Sequence, residues 1–499
     1  MKIIIAGGGT AGWLAALFVK KVKPEHDVVV IESSKIGIIG AGEGSTGTLM
    51  DVITNHYWDF GCDINDFVKE TGASFKYGIK HINWTGDNSY YYGPLDGSPT
   101  MRSLPDHSLF AGYLKDSKWH TLSDLGFLME NSISHYDPNQ GFTRNVALHF
   151  DAHKVGKYFK KVIMKDKGIS HIDSEILEVK CNNLGIESLL LSNGDTIQGD
   201  FFIDATGFKR VLMNALGNDW VSYKKHLPVN TAMPFLLDYK EGETPKPYTT
   251  AWAHSAGWMW QIPTRERKGC GYVFSDEFIS REDAQKEIET SLGHEIEPIR
   301  FFNFDTGRLD NAWMKNCLAV GLSSAFAEPL EATSIHSTIV QLHKFVFEYL
   351  KPTKESTINL SSVKQYNKHT ARMYDDFKDF LVTHYISGRQ DSEFWKYIQS
   401  GATKTEFVKD LLDMCKTRVP TFNDFNEYFG AAGWPLYAWV LLGTKAIDPA
   451  LAKSEISISV PEAESLYNAS MNGLEQYKLS LYDKYQDHWS FAQLISSYN

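Results

Sequence analysis

The period of the apolar positions changes several times along the chain. It opens on a continuous apolar run, "IIIA", closed by three glycines. It then passes into "GWLAALFVKKV", where apolar residues recur at helical spacing and a lysine pair marks the end. A second apolar run, "HDVVVIES", follows. Strand, glycine turn, helix and strand in that order predict an α/β fold. "FKYGIKHINW" alternates apolar and polar positions, and "GWMWQIP" is a short extended segment with Trp258 and Trp260 on one side. From His149, "HFDAHKVGKYFKKVIMK" is helical. "EILEVK" and "SLLLSNGDTIQGDFFIDATGF" are strands, with Asn193-Gly194 at a hairpin turn. "NCLAVGLSSAFAEPLEATSIHSTIVQLHKFVFEYL" predicts a strand, a small-residue loop and a long helix that Pro329 starts and Pro352 ends. Past Pro352 the chain turns to helices and aromatics with no repeat or low-complexity linker, a helical module packed on the first domain.

Composition narrows the class. At 499 residues the chain accommodates one large α/β domain with an appended module. Its apolar share of 43% and charged share of 22% are ordinary, whereas 13% aromatics is high and predicts an aromatic-rich interior or pocket. A net charge of −11 without a long Lys/Arg run disfavours nucleic acid and anionic membrane as partners. Cys62, Cys181, Cys270, Cys317 and Cys415 are odd in number and scattered, with no CxxC pair. Free thiols in a reducing compartment fit better than disulfides or structural zinc, and no metal site is expected. The glycines that break the first apolar run, and the absence of a cleavage site after it, argue against a targeting peptide. No run approaches the roughly 20 apolar residues of a membrane span. The expected location is cytoplasmic.

Several stretches carry candidate chemistry. Gly7-x-Gly9-x-x-Gly12 sits between a strand and a helix. The first glycine permits a tight turn, the second lets backbone approach a pyrophosphate, and the third lets helix pack on strand. Glu32 ends the next strand, where a carboxylate can hold a ribose hydroxyl. "IGIIGAGEGSTGTL", with Gly40, Gly42 and Gly44, is either a cofactor-wrapping loop or a mobile surface loop. Asp204-Ala205-Thr206-Gly207 offers another strand-end backbone approach. Lys80, within an alternating strand, lies on the solvated face by pattern alone, the alternative being a buried functional amine. Glu331, Thr333 and Ser334 lie at a helix start where free amides can hold an anion, although Glu331 also reads as an ordinary first-turn charge. Trp258 and Trp260 taken alone read as sheet packing.

Taken together, "GGGTAGW", "GEGST", "FKYGIKHINW", "DATGF", "GWMWQIP" and "EPLEATS" resemble, in order, the motif set of the flavin-dependent tryptophan halogenases. "HY-x3-R-x-D-x2-FW", from His384 to Trp395, resembles a motif of that family's helical module. The resemblance implies a Rossmann-like FAD domain of flavin-monooxygenase type over residues 1–355, with an inserted substrate sheet, and a mostly helical domain over 356–499 covering the substrate. Reduced FAD from a separate NAD(P)H-dependent flavin reductase, O2 and halide would then give hypohalous acid. That acid would pass through a tunnel to Lys80, which holds it by hydrogen bond or as a haloamine for electrophilic halogenation. Glu331 would orient the electrophile or take the ring proton, and Thr333 and Ser334 would bind halide. Trp258 and Trp260 would keep the organic substrate from the flavin. The implied cofactor contacts are Gly7, Gly9, Thr10, Ala11, Gly12, Glu32, Gly42, Glu43, Asp204, Gly207, Leu322 and Ile335.

The sequence departs from the family in two places. Ser334 stands where tryptophan-specific members have glycine, and neither "YYYGPLDGSPTMRSL" nor the aromatic tail matches the residues that grip free tryptophan. The expected substrate is therefore an electron-rich indole or phenol. Bromide or iodide, being easier to oxidise, is expected to be used more readily than chloride. No second dinucleotide motif is visible, so the reductase is a separate protein, and family members are often dimers. The competing readings are an FAD-dependent aromatic hydroxylase and a non-catalytic flavoprotein.

Overall fold

A computed structural model of the chain describes residues 1–37, 43–54, 59–95, 118–137, 139–425, 432–451, 454 and 463–498. The chain forms two compact units, each discontinuous in sequence. One comprises residues 1–73, 150–224 and 305–377; the other comprises 74–149, 225–304 and 378–499.

The first unit is built on a six-stranded sheet. Its central strand is Lys2–Ala6, flanked by Asp27–Glu32 and Phe201–Asp204, with Ile169–Asp173 beyond the one and Cys317–Ala319 beyond the other. These five run parallel, and only the terminal Trp313–Met314 is antiparallel. "KIIIA" and "DVVVIE" are buried on both faces, which explains their unbroken apolar runs. The helix Thr10–Val22 follows the first strand, and Trp13, Leu14, Leu17 and Phe18 are among its buried residues. A second helix was expected from His149. The strand Ala147–Phe150 occupies that position instead, and the helix runs over Ala152–Ile163, because Asp151 caps it by accepting from the His153 amide at 2.9 Å. The expected hairpin is present: Gly185–Leu191 pairs with Thr196–Gln198, and Gly194 has φ +91°.

The second unit carries a seven-stranded sheet in the order Phe302–Asn303, Thr231–Leu237, Lys268–Phe274, Gly257–Pro263, Tyr248–Ala253, Gly78–Ile82 and Tyr90–Pro94. All its pairings are antiparallel except that of Tyr248–Ala253 with Gly78–Ile82. The helical C-terminal region closes an apolar cluster with Tyr91, Trp119 and Leu122 from the first part of this unit and Phe380, Leu411, Tyr437 and Trp439 from the tail. Among the described residues no helix is long and apolar enough to cross a membrane. All five cysteines are free thiols, and only Cys181 is exposed.

Candidate active site

In the first unit the three glycines differ in what surrounds them. Gly7 has φ +108°, and a Cβ there would overlap the Ala205 carbonyl. A Cβ at Gly12 would overlap the Gly7 carbonyl, while beside Gly9 nothing lies within 4 Å. Gly9 is also the N-cap of the helix Thr10–Val22 and supplies no side-chain cap, so the first-turn amides are left to an external acceptor. A Cβ at Gly8 would run into the Glu32 side chain, which places that carboxylate beside the turn. Glu32 Oε1 is also 2.6 Å from Lys160 Nζ and 2.8 Å from His171 Nε2. Sequence reading missed both partners: they lie in an ordinary helix end and an edge strand, and carry no motif. A glycine cradle open at Gly9, an uncapped helix start and an acid after the second strand fit a dinucleotide.

The neighbouring loops are more committed to the protein itself. The carboxylate of Asp204 is fully buried and accepts from Thr206 N at 2.9 Å and Thr206 Oγ1 at 2.7 Å, and from Leu212 N and Met213 N at 2.9 and 3.0 Å. It therefore shapes the turn before Gly207, whose φ is +68° and whose carbonyl accepts from Ser323 Oγ beside Leu322. Gly40 and Gly42 lie outside the described residues. Desolvation, with Asp151 nearby, pushes the Glu43 carboxyl up to about 7.

The helix expected to start at Pro329 starts at Thr333 and runs to Lys344. Ala332, at φ +53° and ψ +35°, is the N-cap, and its left-handed backbone interrupts the turn closed by Ala332 N to Pro329 O. Glu331 consequently precedes the helix and is not a first-turn charge. Again no side chain caps the start, so the amides of Thr333, Ser334 and Ile335 open this helix. Thr333 and Glu331 are half-buried, Ser334 is exposed and Ile335 is buried. Three residues past Thr333, His336 Nδ1 meets the hydroxyls of Thr46 and Thr48 at 3.1 and 3.3 Å.

In the second unit, strand register builds the surroundings of Lys80. It lies opposite Tyr92 on one neighbour and Thr250 on the other, while Tyr90 opposes Ile82 and Tyr248 opposes Gly78. Residues two apart share a face, so three tyrosines gather on the lysine's side. Nζ lies 3.9 Å from the centroid of Tyr90, 5.6 Å from Tyr92 and 5.8 Å from Tyr248. The pattern-only expectation of a solvated lysine is corrected: the strand is interior to its sheet, and Lys80 is half-buried with no hydrogen bond or ion pair among the described residues. Desolvation lowers its pKa, opposed by the charge of Glu130 and helped by Lys246. Sequence reading missed Glu130. It accepts from Tyr90 OH at 3.2 Å, Tyr92 OH at 3.0 Å and Lys118 Nζ at 3.1 Å. Desolvation draws its own pKa upward, and these bonds outweigh that and hold it below the ordinary value.

The opposite face of the same strand is packing. His81 stacks on Tyr91 at 4.6 Å and 11°, and lies 5.4 Å from His384. The segment from His384 to Trp395 clamps the end of the lysine strand. Arg389 pairs with Asp391, donates to the Asn83 carbonyl at 2.8 Å and covers Trp395, whose indole donates to the His254 carbonyl at 2.8 Å. Trp258 and Trp260 share one face of Gly257–Pro263 and meet edge-to-face at 6.4 Å. The Trp260 indole lies on Gly271, where a Cβ would overlap it. Trp258 is 1% exposed, and its indole N–H has no partner among the described residues.

A largely parallel sheet with a glycine turn and an open helix start defines an α/β protein of the dinucleotide-binding class. The chain belongs to the tryptophan halogenase family, whose model matches residues 2–455. It is 32% identical over 503 residues to the tryptophan 6-halogenase SttH of Streptomyces toxytricini, across 91% of this chain and 92% of that one. Identity is 30% over 488 residues to the 7-chloro-L-tryptophan 6-halogenase KtzR of Kutzneria sp. (strain 744), across 89% and 90%. The solved tryptophan halogenase of Shewanella frigidimarina superposes with a TM-score of 0.88 over 100% of this chain and 97% of that one; at 23% identity this is a likeness of fold. As a family member the chain is an enzyme, flavin-dependent and of the oxidoreductase class, with FAD and halide as the implied cofactor and co-substrate.

Proposed function

We propose that the protein halogenates an electron-rich aromatic, an indole or a phenol, through an electrophile held at Lys80. The observation that carries this reading is the state of that amine: half-buried, without a hydrogen-bond partner among the described residues, faced by tyrosine rings and lowered in pKa. Such an amine is more readily neutral, and so more nucleophilic toward hypohalous acid, than a solvated lysine. When bound, reduced FAD would supply two electrons to O2, which takes the other two from halide and so oxidises it to hypohalous acid. Gly7, Gly9 and Gly12, the amides opening Thr10–Val22 and Glu32 hold the dinucleotide, while Asp204 fixes the turn at Gly207. Glu43, Leu322 and Ile335 belong to the same cofactor surroundings. The amides of Thr333 and Ser334 hold the halide at an uncapped helix start, as helix-end charge favours. Trp258 and Trp260 keep organic substrate from the flavin. Glu331 orients the electrophile or accepts the ring proton. A separate flavin reductase supplies the reduced cofactor.

Tryptophan or 7-chloro-L-tryptophan stands as substrate in the names of the two relatives, and the departures at Ser334 and in the substrate-contacting segments favour a broader aromatic range. The test uses the protein with FAD, a flavin reductase and NADH, offered indoles and phenols with chloride, bromide or iodide. Halogen-bearing products that vanish in Lys80→Ala, with reduced-flavin oxidation retained, are expected. Oxygenated products formed without halide would replace this reading with hydroxylation.

A further inference from the structure

We propose that Tyr90 is itself a halogen acceptor, a site at which the enzyme modifies its own chain when no organic substrate is present; the proposal rests on the reading of Lys80 above. The ring of Tyr90 presents its face to Lys80 Nζ at 3.9 Å from the centroid. That is already van der Waals range for nitrogen and carbon, so a halogen atom carried on Nζ meets this ring before any other in the cage. Tyr92 and Tyr248 stand farther off, at 5.6 and 5.8 Å, and Tyr92 is only 2% exposed. Tyr90 is also chemically prepared. Its hydroxyl donates to both oxygens of Glu130 at 3.2 Å, and a phenol donating to a carboxylate is richer in ring electrons at the ortho carbons.

The step balances without a further reagent. Ring electrons of Tyr90 attack the electrophilic halogen held at Nζ, and the nitrogen–halogen bond breaks with its pair returning to nitrogen. If the electrophile is hydrogen-bonded hypohalous acid, the oxygen–halogen bond breaks and its pair stays on oxygen. The phenol proton shifts to Glu130 as the ring is attacked. The ortho C–H proton then passes to the atom that kept the pair, giving the neutral Lys80 amine from the haloamine or water from hypohalous acid, and Glu130 returns its proton to the phenol oxygen. Carbon is oxidised and halogen reduced, the oxidant being the hypohalous acid of the proposed reaction. A halogen on this ring would lie against Lys80, so the modification would slow later turnovers, and a bound aromatic substrate would compete with it.

The experiment runs the FAD-loaded protein with flavin reductase, NADH and bromide, without and then with indole, and maps bromine by its isotope doublet in proteolytic peptides. Tyr397 and Tyr482, which are 36% and 50% exposed, serve as internal controls for freely diffusing hypobromite. The expected result is a doublet that appears first on Tyr90, falls several-fold when indole is present, drops in Lys80→Ala and is absent from that position in Tyr90→Phe. Labelling that starts on Tyr397 or Tyr482, or that falls on Tyr92 ahead of Tyr90, overturns the proposal; brominated indole in the same run then shows that the halogenase reading stands. If neither indole nor protein is brominated, the reading and the proposal fail together.

Discussion

Two residues carry pH-dependent predictions of opposite kind. If Lys80 accepts the halogen as a neutral amine, halogenation rises with pH as the amine loses its proton, and because desolvation has lowered its pKa the rise falls below the range of a free lysine. Glu130 opposes that lowering, so Glu130→Gln should move the rise to still lower pH, and Lys80→Ala should cut halogenation by roughly two orders of magnitude or more. Rates of indole bromination across pH, with flavin oxidation as the internal standard, check both. Glu43 concerns stability. Its folded pKa of about 7 lies above the ordinary 4.5, so the folded state holds the proton more tightly than the unfolded chain does. Stability therefore falls as pH climbs from the ordinary value through about 7. Melting temperatures of cofactor-free Glu43→Gln and the parent should coincide near pH 4 and separate in favour of the variant by pH 8. Equal melting temperatures at both pH values would mean that Glu43 is solvated.

At the level of elements, the readable parts were those in which the constraint is local. "IIIAGGG" needs its glycines because the adjoining carbonyls leave no room for a Cβ at Gly7 or Gly12, and spacing alone conveys that. The helix start near Glu331 did not read correctly. Proline at the first helical position is a statistical preference, whereas the left-handed Ala332 that sets the boundary has no signature in an alanine. A left-handed alanine costs about 1–2 kcal/mol, so Ala332→Gly should stabilise by about 1 kcal/mol and Ala332→Val should destabilise; denaturant midpoints decide it. The tyrosine cage was likewise not legible, because it arises from the register of three strands separated by up to about 170 residues, from Gly78 to Tyr248. Gly271 was missed too, since its requirement comes from an indole on the neighbouring strand. Gly271→Ala should cost about 1–3 kcal/mol by overpacking against Trp260, and Trp fluorescence should shift with it.

On the scale of the whole molecule, one buried carboxylate gathers several of the contacts that fasten the tail of the second unit to residues more than three hundred positions earlier. Asp124 is 2% exposed and accepts from Arg144 Nε at 2.9 Å, Lys484 Nζ at 2.7 Å and Tyr485 OH at 2.9 Å, with the Tyr477 hydroxyl on its other oxygen. Three of the four partners lie in the helix Ala463–Tyr485 or at its end. This fastening joins two sequence-distant parts of the second unit and comes from a residue that no motif marks. Asp124→Asn keeps the shape and removes the charge, leaving two cations without their counter-ion. Because both cations are partly exposed, with side chains 32% and 43% accessible, solvent recovers part of the loss, and the expected cost is about 2 kcal/mol, below that of a fully buried pair. Hydrogen exchange should show lost protection concentrated in 463–485 and in the helix Asp124–Asn131, with the Lys2–Ala6 strand unchanged. Equal loss in that strand would instead mean that the chain unfolds as one cooperative body, in which case the carboxylate stabilises the whole enzyme rather than the attachment of its tail.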